Sequence, residues 1–388
     1  MAVKYWVGGT ATWDNTAGTK WAISSGGSGG QSVPTYGDEV VFDANSTGVV
    51  TLSTSSINIC KTLDLSAFAG TFASLGSSSI VSVSGVGTSV ILGTNVTYPT
   101  SFSINLLGAN SSITTNGSTF GDLYIGYINQ NLPISMSLND ALTCRFIVVG
   151  YSGNVGLQTL TTNNNNITCS AIITDTSPFT FDCGSSLITL TGNSTTWDAS
   201  ASTSLTLNAG TSTFKFTGNG MTFKGLDKTY STVWFNPSGS SNITIQGSNT
   251  FYDFKLTTSS AQTIKFTAGT TQTVTNFSVA GTEGNLVTLD STTTATYSLV
   301  KTGSLFYTDY LNIQHCVATP VNTWYAGVHS VDNQAVSTAG SGWLFTGNPV
   351  TYTNQAKNSS SYSAGSKNSS TFTNHSLSTS AWTDQSKN

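Results

Sequence analysis

The chain has 388 residues, 13 Lys and Arg against 17 Asp and Glu, a formal net charge of −4 and only 8% charged residues. With Arg145 as its single arginine, it has no basic stripe able to neutralise a nucleic-acid backbone. Intrinsic disorder is excluded too, because disordered chains are poor in aromatics and high in net charge, whereas 11% of these residues are Phe, Trp or Tyr.

The length allows two to three domains or one elongated repeat body. A charge content far below the usual ~25% favours the repeat body. Gly, Ser, Thr and Asn take the places that charges usually hold. No run approaches the roughly 18 apolar residues of a membrane span, and the opening MAVKYWVGGT has no apolar signal-peptide core, so synthesis and assembly in a cytoplasm are expected.

In chain order, residues 1–45 are expected to form a Trp-rich terminal module or cap carrying Trp6, Trp13 and Trp21. Its acidic group, Asp38, Glu39 and Asp43 in GDEVVFD, supplies oxygen ligands of the kind Ca²⁺ takes, although without the loop spacing of a known cage. The alternative is a turn aspartate followed by two carboxylates on a solvated strand edge.

From about 46 to 308, short alternating stretches of β-branched and aromatic residues recur between Gly, Asn and Ser turns, as in INICKTLDL and TIKFTAGTTQTVTNFSV. Helical periodicity is almost absent, so the fold class is all-β. NGSTFGDLYI at 116–125 matches QGSNTFYDFKL at 246–256, and strands beginning near Thr232, Tyr252 and Thr275 lie about 22 residues apart, a period typical of solenoids. The expected architecture is a parallel β-helix of about 13 turns, each stacked about 4.8 Å on the last, giving a rod on the order of 60 Å. β-Sandwich domains in series are the alternative. Inward apolar residues would stack, while Thr and Asn satisfy turn after turn where like charges would repel.

Cys60, Cys144, Cys169, Cys183 and Cys316 lack metal-site or CxxC spacing and read as small buried hydrophobes in strands. His315, His329 and His375 have no Cys or His partner at ligand spacing. Acid residues are scattered singly, with Glu39 and Glu283 the only glutamates, so no paired carboxylates suggest a glycosidase. No catalytic set and no cofactor is nominated.

Residues 309–348 read as a second aromatic module, the closing cap, with Trp324 and Trp343. Trp324 and Tyr325, beside Asn and Thr, suit carbohydrate binding by ring stacking, or else seal the solenoid end. Residues 349–388 hold three ten-residue units and an eight-residue remnant with Tyr352, Tyr362, Phe372 and Trp382 in register. Ten residues on a helix advance about 1000° and leave successive rings about 80° out of line, whereas an even period in an extended chain puts all four on one side. That pattern suits a docking or adhesive strip, or a flexible low-complexity tail.

The end segments carry a resemblance. Trp-Val-Gly-Gly with two further tryptophans and then P…GDEVVFDAN resembles the opening of repeat-rich bacterial adhesins and phage structural proteins. The order GTEGNLVTLDS, DYLNIQ, TWYAG and GWLF at 281–345, together with TFKGLDKTYSTVWF at 222–235, is similar to the closing turns of tailed-bacteriophage β-solenoid virion proteins. Where such relatives carry a Gly pair before the Trp-Tyr-Ala-Gly element, this chain has Pro-Val-Asn. The resemblance implies a virion appendage of tail-fibre or spike type that attaches to the host surface. Its expected partners are further copies of itself, commonly as a trimer, other virion proteins, and a host glycan or protein. A capsid decoration or head-fibre protein is the first alternative and a polysaccharide depolymerase spike the second. The family has no universal catalytic residues, so none is carried over.

Overall fold

A computed structural model describes residues 2–347 except 17, 54–57, 74–78, 128–130, 151–154, 304 and 334–340. The chain divides into two compact units, Met1–Asn348 and Pro349–Asn388. The second unit, with Tyr352, Tyr362, Phe372 and Trp382, lies outside the described residues.

The first unit is all-β. Its strands wind as a parallel β-solenoid, and its inter-strand pairings are parallel except where Val3–Trp6 meets Trp21–Ala22 and at the isolated bridge Thr282–Asn285. Parallel pairing between strands about one coil apart in sequence rules out sandwich domains in series, whose sheets are built from antiparallel neighbours. Parallel-paired positions lie 36 to 39 residues apart in the first coil, as for Val3 and Glu39, and thereafter between 18 apart, as for Phe306 and Trp324, and 27 apart, as for Thr271 and Ser298. The spacing expected at 232, 252 and 275 is present, since Thr232 pairs with Asp253 and Asp253 with Asn276.

Three faces surround the core. The first is a ten-stranded sheet ending at Leu205–Asn208. The second begins with three strands between Ala11–Trp13 and Thr71–Phe72, is interrupted, and resumes as ten strands from Thr119–Phe120 to Cys316–Thr319. The third is continuous, with thirteen strands from Asn58–Cys60 to Val331–Asp332. Near the C-terminal end a short sheet, Phe306–Tyr307, Trp324–Tyr325 and Trp343–Leu344, opens between the second and third faces.

Alternation drives this arrangement. In Gln262–Phe266 and Val287–Ser291 the odd and even residues are buried and half-buried in turn, as a pleated strand requires when one side faces a core. Like side chains stack along the axis: Phe254 lies over Phe277 at 5.6 Å with rings 5° from parallel. The core runs without a break from Trp6 to Trp343. Trp6, Trp13 and Trp21 are fully buried around Phe42, with centroids 5.6, 5.9 and 6.1 Å from its ring. The N-terminal tryptophans thus sit in the same unit as the solenoid, inside its first coil.

Corners are built from residues that tolerate a left-handed backbone. Asn95, Asn110, Asn116, Asn163, Asn164 and Asn322 all have positive φ, and Asn164 Oδ1 accepts the Ser185 amide of the next coil at 2.9 Å. Gly218 stacks on Gly192, where a Cβ would lie 1.9 Å from the Gly192 carbonyl oxygen, so no other residue fits that corner. The two similar segments at 116–125 and 246–256 share a buried phenylalanine on the second face, Phe120 and Phe251. They differ afterwards, because Asp122 lies between two short strands whereas Asp253 lies within Thr250–Leu256.

Candidate functional site

The acidic group near the N-terminus is used for folding. Asp38 accepts the Ala2 amide at 3.0 Å and both the amide and hydroxyl of Thr35 at 3.1 and 2.8 Å. Burial works against its charge, yet these bonds and nearby Lys4 outweigh it and hold its carboxyl below the ordinary value. Asp43 closes its own turn by accepting the Asn45 amide at 2.9 Å, and Glu39 faces Lys61 of the next coil at 3.4 Å. Each carboxylate thus has its own protein partners, and the weak cation candidate Asp38, Glu39 and Asp43 is not brought together as a cage. Among the described residues no group of three or more His, Cys, Asp or Glu could hold a metal ion.

The same economy holds along the solenoid, where acids link one coil to the next. Asp122 receives Arg145, Asp198 receives Lys224, Asp290 receives His315 and Asp309 receives His329. Asp140 accepts the Thr115 and Asn116 amides at 2.7 and 2.6 Å, and Asn276 donates to Asp253 at 2.7 Å. At Asp198 burial opposes the charge, but Lys224 and Ser200 prevail and the carboxyl sits below its usual range.

At the C-terminal coils the two nominated aromatics part company. Trp324 is fully buried, donates its indole N–H to the Thr319 carbonyl at 3.0 Å and packs on Trp343 at 4.9 Å, so it seals the core and offers no surface to a ligand. Tyr325, the next residue of an alternating strand, points outward. It pairs in register with Tyr307 of the preceding coil, the rings 4.9 Å apart, and with Leu344 of the following one. Beside this ladder Tyr310 stacks on His329 at 4.7 Å with the rings 4° from parallel, and Asp309 accepts from the His329 amide. Exposed aliphatic residues Leu305, Val321, Val328 and Val331 surround the same coils. Phenol rings with open faces and apolar neighbours can stack on a sugar or pack against a protein.

A second feature escaped sequence reasoning. Between Thr71–Phe72 and Thr119–Phe120 the second face is interrupted, Thr97 bridging to Thr119 beyond the break, and a hollow of ≈ 370 Å³ lies there walled by Phe68, Phe72, Val96, Tyr98 and Pro99. Tyr98 is held in place by the Gly93 amide, which donates to its hydroxyl at 3.0 Å. Pro99, after a Thr-Asn-Val-Thr-Tyr stretch with Asn95 in the left-handed region, was the available signal for a break in the sheet.

No family model matches the chain. Comparison with curated proteins and with solved structures likewise returns no match. No helix among the described residues is long and apolar enough to cross a membrane.

Proposed function

We propose that the chain is a structural virion protein, an appendage of tail-fibre or spike type whose C-terminal coils contact the host surface. One observation carries the contact surface: of the sixteen large apolar side chains exposed among the described residues, five (Leu305, Tyr307, Val321, Val328 and Val331) fall within residues 305–331. Elsewhere the outward positions are chiefly Thr, Ser and Asn. A concentrated apolar and aromatic patch on an otherwise polar surface is what a contact site requires. The resemblance of residues 281–345 to the closing turns of phage solenoid proteins supports the virion context. The coil-to-coil use of aspartates supports a structural role over a depolymerase, which needs two carboxyl groups free to flank a glycosidic bond.

The test has two arms. Immunogold labelling or cryo-EM of intact particles is expected to place the protein on the tail; labelling of the head shell would instead support a head-fibre or decoration role, and absence from particles would end both virion readings. The double variant Tyr307→Ser with Tyr325→Ser is expected to lose adsorption to host cells while keeping the wild-type circular dichroism. Undiminished adsorption by that variant would remove the C-terminal coils from the contact.

A further inference from the structure

The first face stops in mid-solenoid. Its last strand, Leu205–Asn208, pairs with Phe179–Asp182 on one side and, among the described residues, with no strand on the other. The phase of that ladder follows from its two ends, the Phe179 amide donating to Ser204 O at 2.8 Å and the Cys183 amide to Asn208 O at 3.0 Å. In a parallel pair each residue directs its N–H and C=O to the same side and its neighbours direct theirs to the other. Residues 204, 206 and 208 therefore bond inward to the existing sheet, and the N–H and C=O of Leu205 and Leu207 point away from it.

The next coil does not supply the missing strand. After Thr222–Lys224 the chain turns through Leu226 and Asp227, both with φ of 56°, and enters Thr229–Phe235 on the second face directly. The Tyr230 hydroxyl fixes this shortcut by donating to Gly225 O at 3.0 Å while accepting the Trp197 indole N–H at 2.9 Å. The coil shortens accordingly: Leu187 pairs with Thr213, 26 residues on, but Thr213 pairs with Thr232, only 19 on.

What remains is a hollow of ≈ 610 Å³ between the open strand edge and the shortened coil, bounded by Leu207, Gly210, Thr229, Tyr230, Ser231 and Tyr252. Its volume lies within the range of ligand sites. The apolar positions under it have lost cover: Phe179 and Phe181 of the preceding strand are 0% exposed, whereas Leu205 is 9% exposed and Leu207 is half-buried. Tyr252, at the rim, is 57% exposed. Sheet edges left open in folded proteins usually carry Lys, Pro or a bulge to prevent pairing. This one carries none, and residues 199–214 contain no charged side chain at all.

We infer that the Leu205–Asn208 edge accepts one extended, uncharged peptide segment of a partner protein, which adds to the ten-stranded first face as a further strand. The outward N–H and C=O of Leu205 and Leu207 supply the main-chain bonds, as in other strand-addition complexes. An apolar side chain at the partner's inward position covers Leu207 and Tyr230. The lack of charge in the hollow selects a neutral segment, since a charged side chain there would lose its water without gaining a counter-ion. This inference stands apart from the virion reading and from the tyrosine ladder.

The probe is a fluorescent synthetic peptide copying Thr203–Gly210, TSLTLNAG, chosen because like residues stack on this face: Thr180 beneath Thr206 and Phe181 beneath Leu207. Binding to the full chain is read by fluorescence anisotropy. Two N-methylated versions carry the methyl groups on alternate amides, so that one blocks the pairing side of the peptide and the other its free side. The unmodified peptide is expected to bind saturably, one methylated version to bind at least roughly tenfold more weakly, and the other to stay close to the unmodified peptide. In the protein, Leu207→Pro removes an N–H that bonds nothing among the described residues and is expected to weaken the peptide by a similar roughly tenfold factor with unchanged circular dichroism. No saturable binding, equal affinity of both methylated peptides, or full affinity in a folded Leu207→Pro protein would each overturn the inference. The methylation arm uses the wild-type chain, so a folding failure of the variant does not leave the question open.

Discussion

Arg145, the only arginine, grips Asp122 of the preceding coil with two prongs, Nε to Oδ1 at 2.8 Å and Nη2 to Oδ2 at 2.6 Å. The carboxylate side chain is 5% exposed and the guanidinium side chain 39% exposed. Removing the arginine therefore strands a buried charge. Arg145→Met is expected to destabilise the solenoid by about 2–3 kcal/mol, at the lower end for a broken buried pair because the guanidinium is partly wet. Arg145→Lys restores charge without the fork geometry and recovers only part of the loss. Urea denaturation midpoints of the two variants decide this, and equal midpoints for Met and wild type would contradict it.

Tyr230→Phe tests the shortcut between the second and third faces. The variant keeps the ring but leaves the buried Trp197 indole N–H without its acceptor and Gly225 O with the Lys228 amide alone at 3.2 Å. A cost of about 1–3 kcal/mol is expected for the stranded indole N–H, measured by thermal or urea unfolding. A neutral outcome would mean that the turn at 225–227 is held by other contacts.

All five cysteines are buried thiols outside any disulfide. Burial pushes their thiols up, that of Cys316 to about 12. At pH 8 none is expected to react with Ellman's reagent in the native protein, and all five are expected to react after denaturation without reductant. Prompt native reaction of even one thiol would show an opening of the core at that coil.

Acid should unlock the solenoid in a defined window. Lys20, followed by Thr16, holds the Asp14 carboxyl at about 2, against an ordinary value of 3.8. Asp198 and Asp309 are also depressed, burial being outweighed by Lys224 and Ser200 at the first and by His329 and backbone amides at the second. A carboxylate depressed in the folded state stabilises fully above its unfolded value and loses that contribution as pH falls through the folded value. The melting temperature is therefore expected to drop between about pH 4 and 2. Asp14→Asn should make that drop shallower, and a flat profile across the window would contradict the assignment.

The parallel solenoid was readable because stacked coils reuse the same inward positions, so the pattern at Thr232, Asp253 and Asn276 repeats at near-constant spacing. The asparagine corners were readable for the same reason: Asn tolerates the left-handed backbone that a tight corner needs. The fate of Trp324 and Tyr325 was partly readable, since adjacent residues in a strand point to opposite sides and only one could face water. The loss of the first face after Asn208 was not readable. It depends on the Tyr230 hydroxyl meeting both Trp197 and Gly225, 33 and 5 residues away. Corner amides such as Gln262, which takes the Ser241 amide at 3.1 Å and donates to Gly239 O at 2.8 Å, were hidden similarly, because a glutamine looks like solvent-facing polarity until its coil is stacked.

The coil-linking acids have a consequence for how the chain finds its alignment. A ladder of identical asparagines would fit equally well if one coil slid past the next by a whole turn. Here four levels have keys of their own: Arg145 for Asp122, Lys224 for Asp198, His315 for Asp290, His329 for Asp309. A chain displaced by one coil would set these acids against strangers. These four pairs thus act as address labels, each matching one winding to its own neighbour.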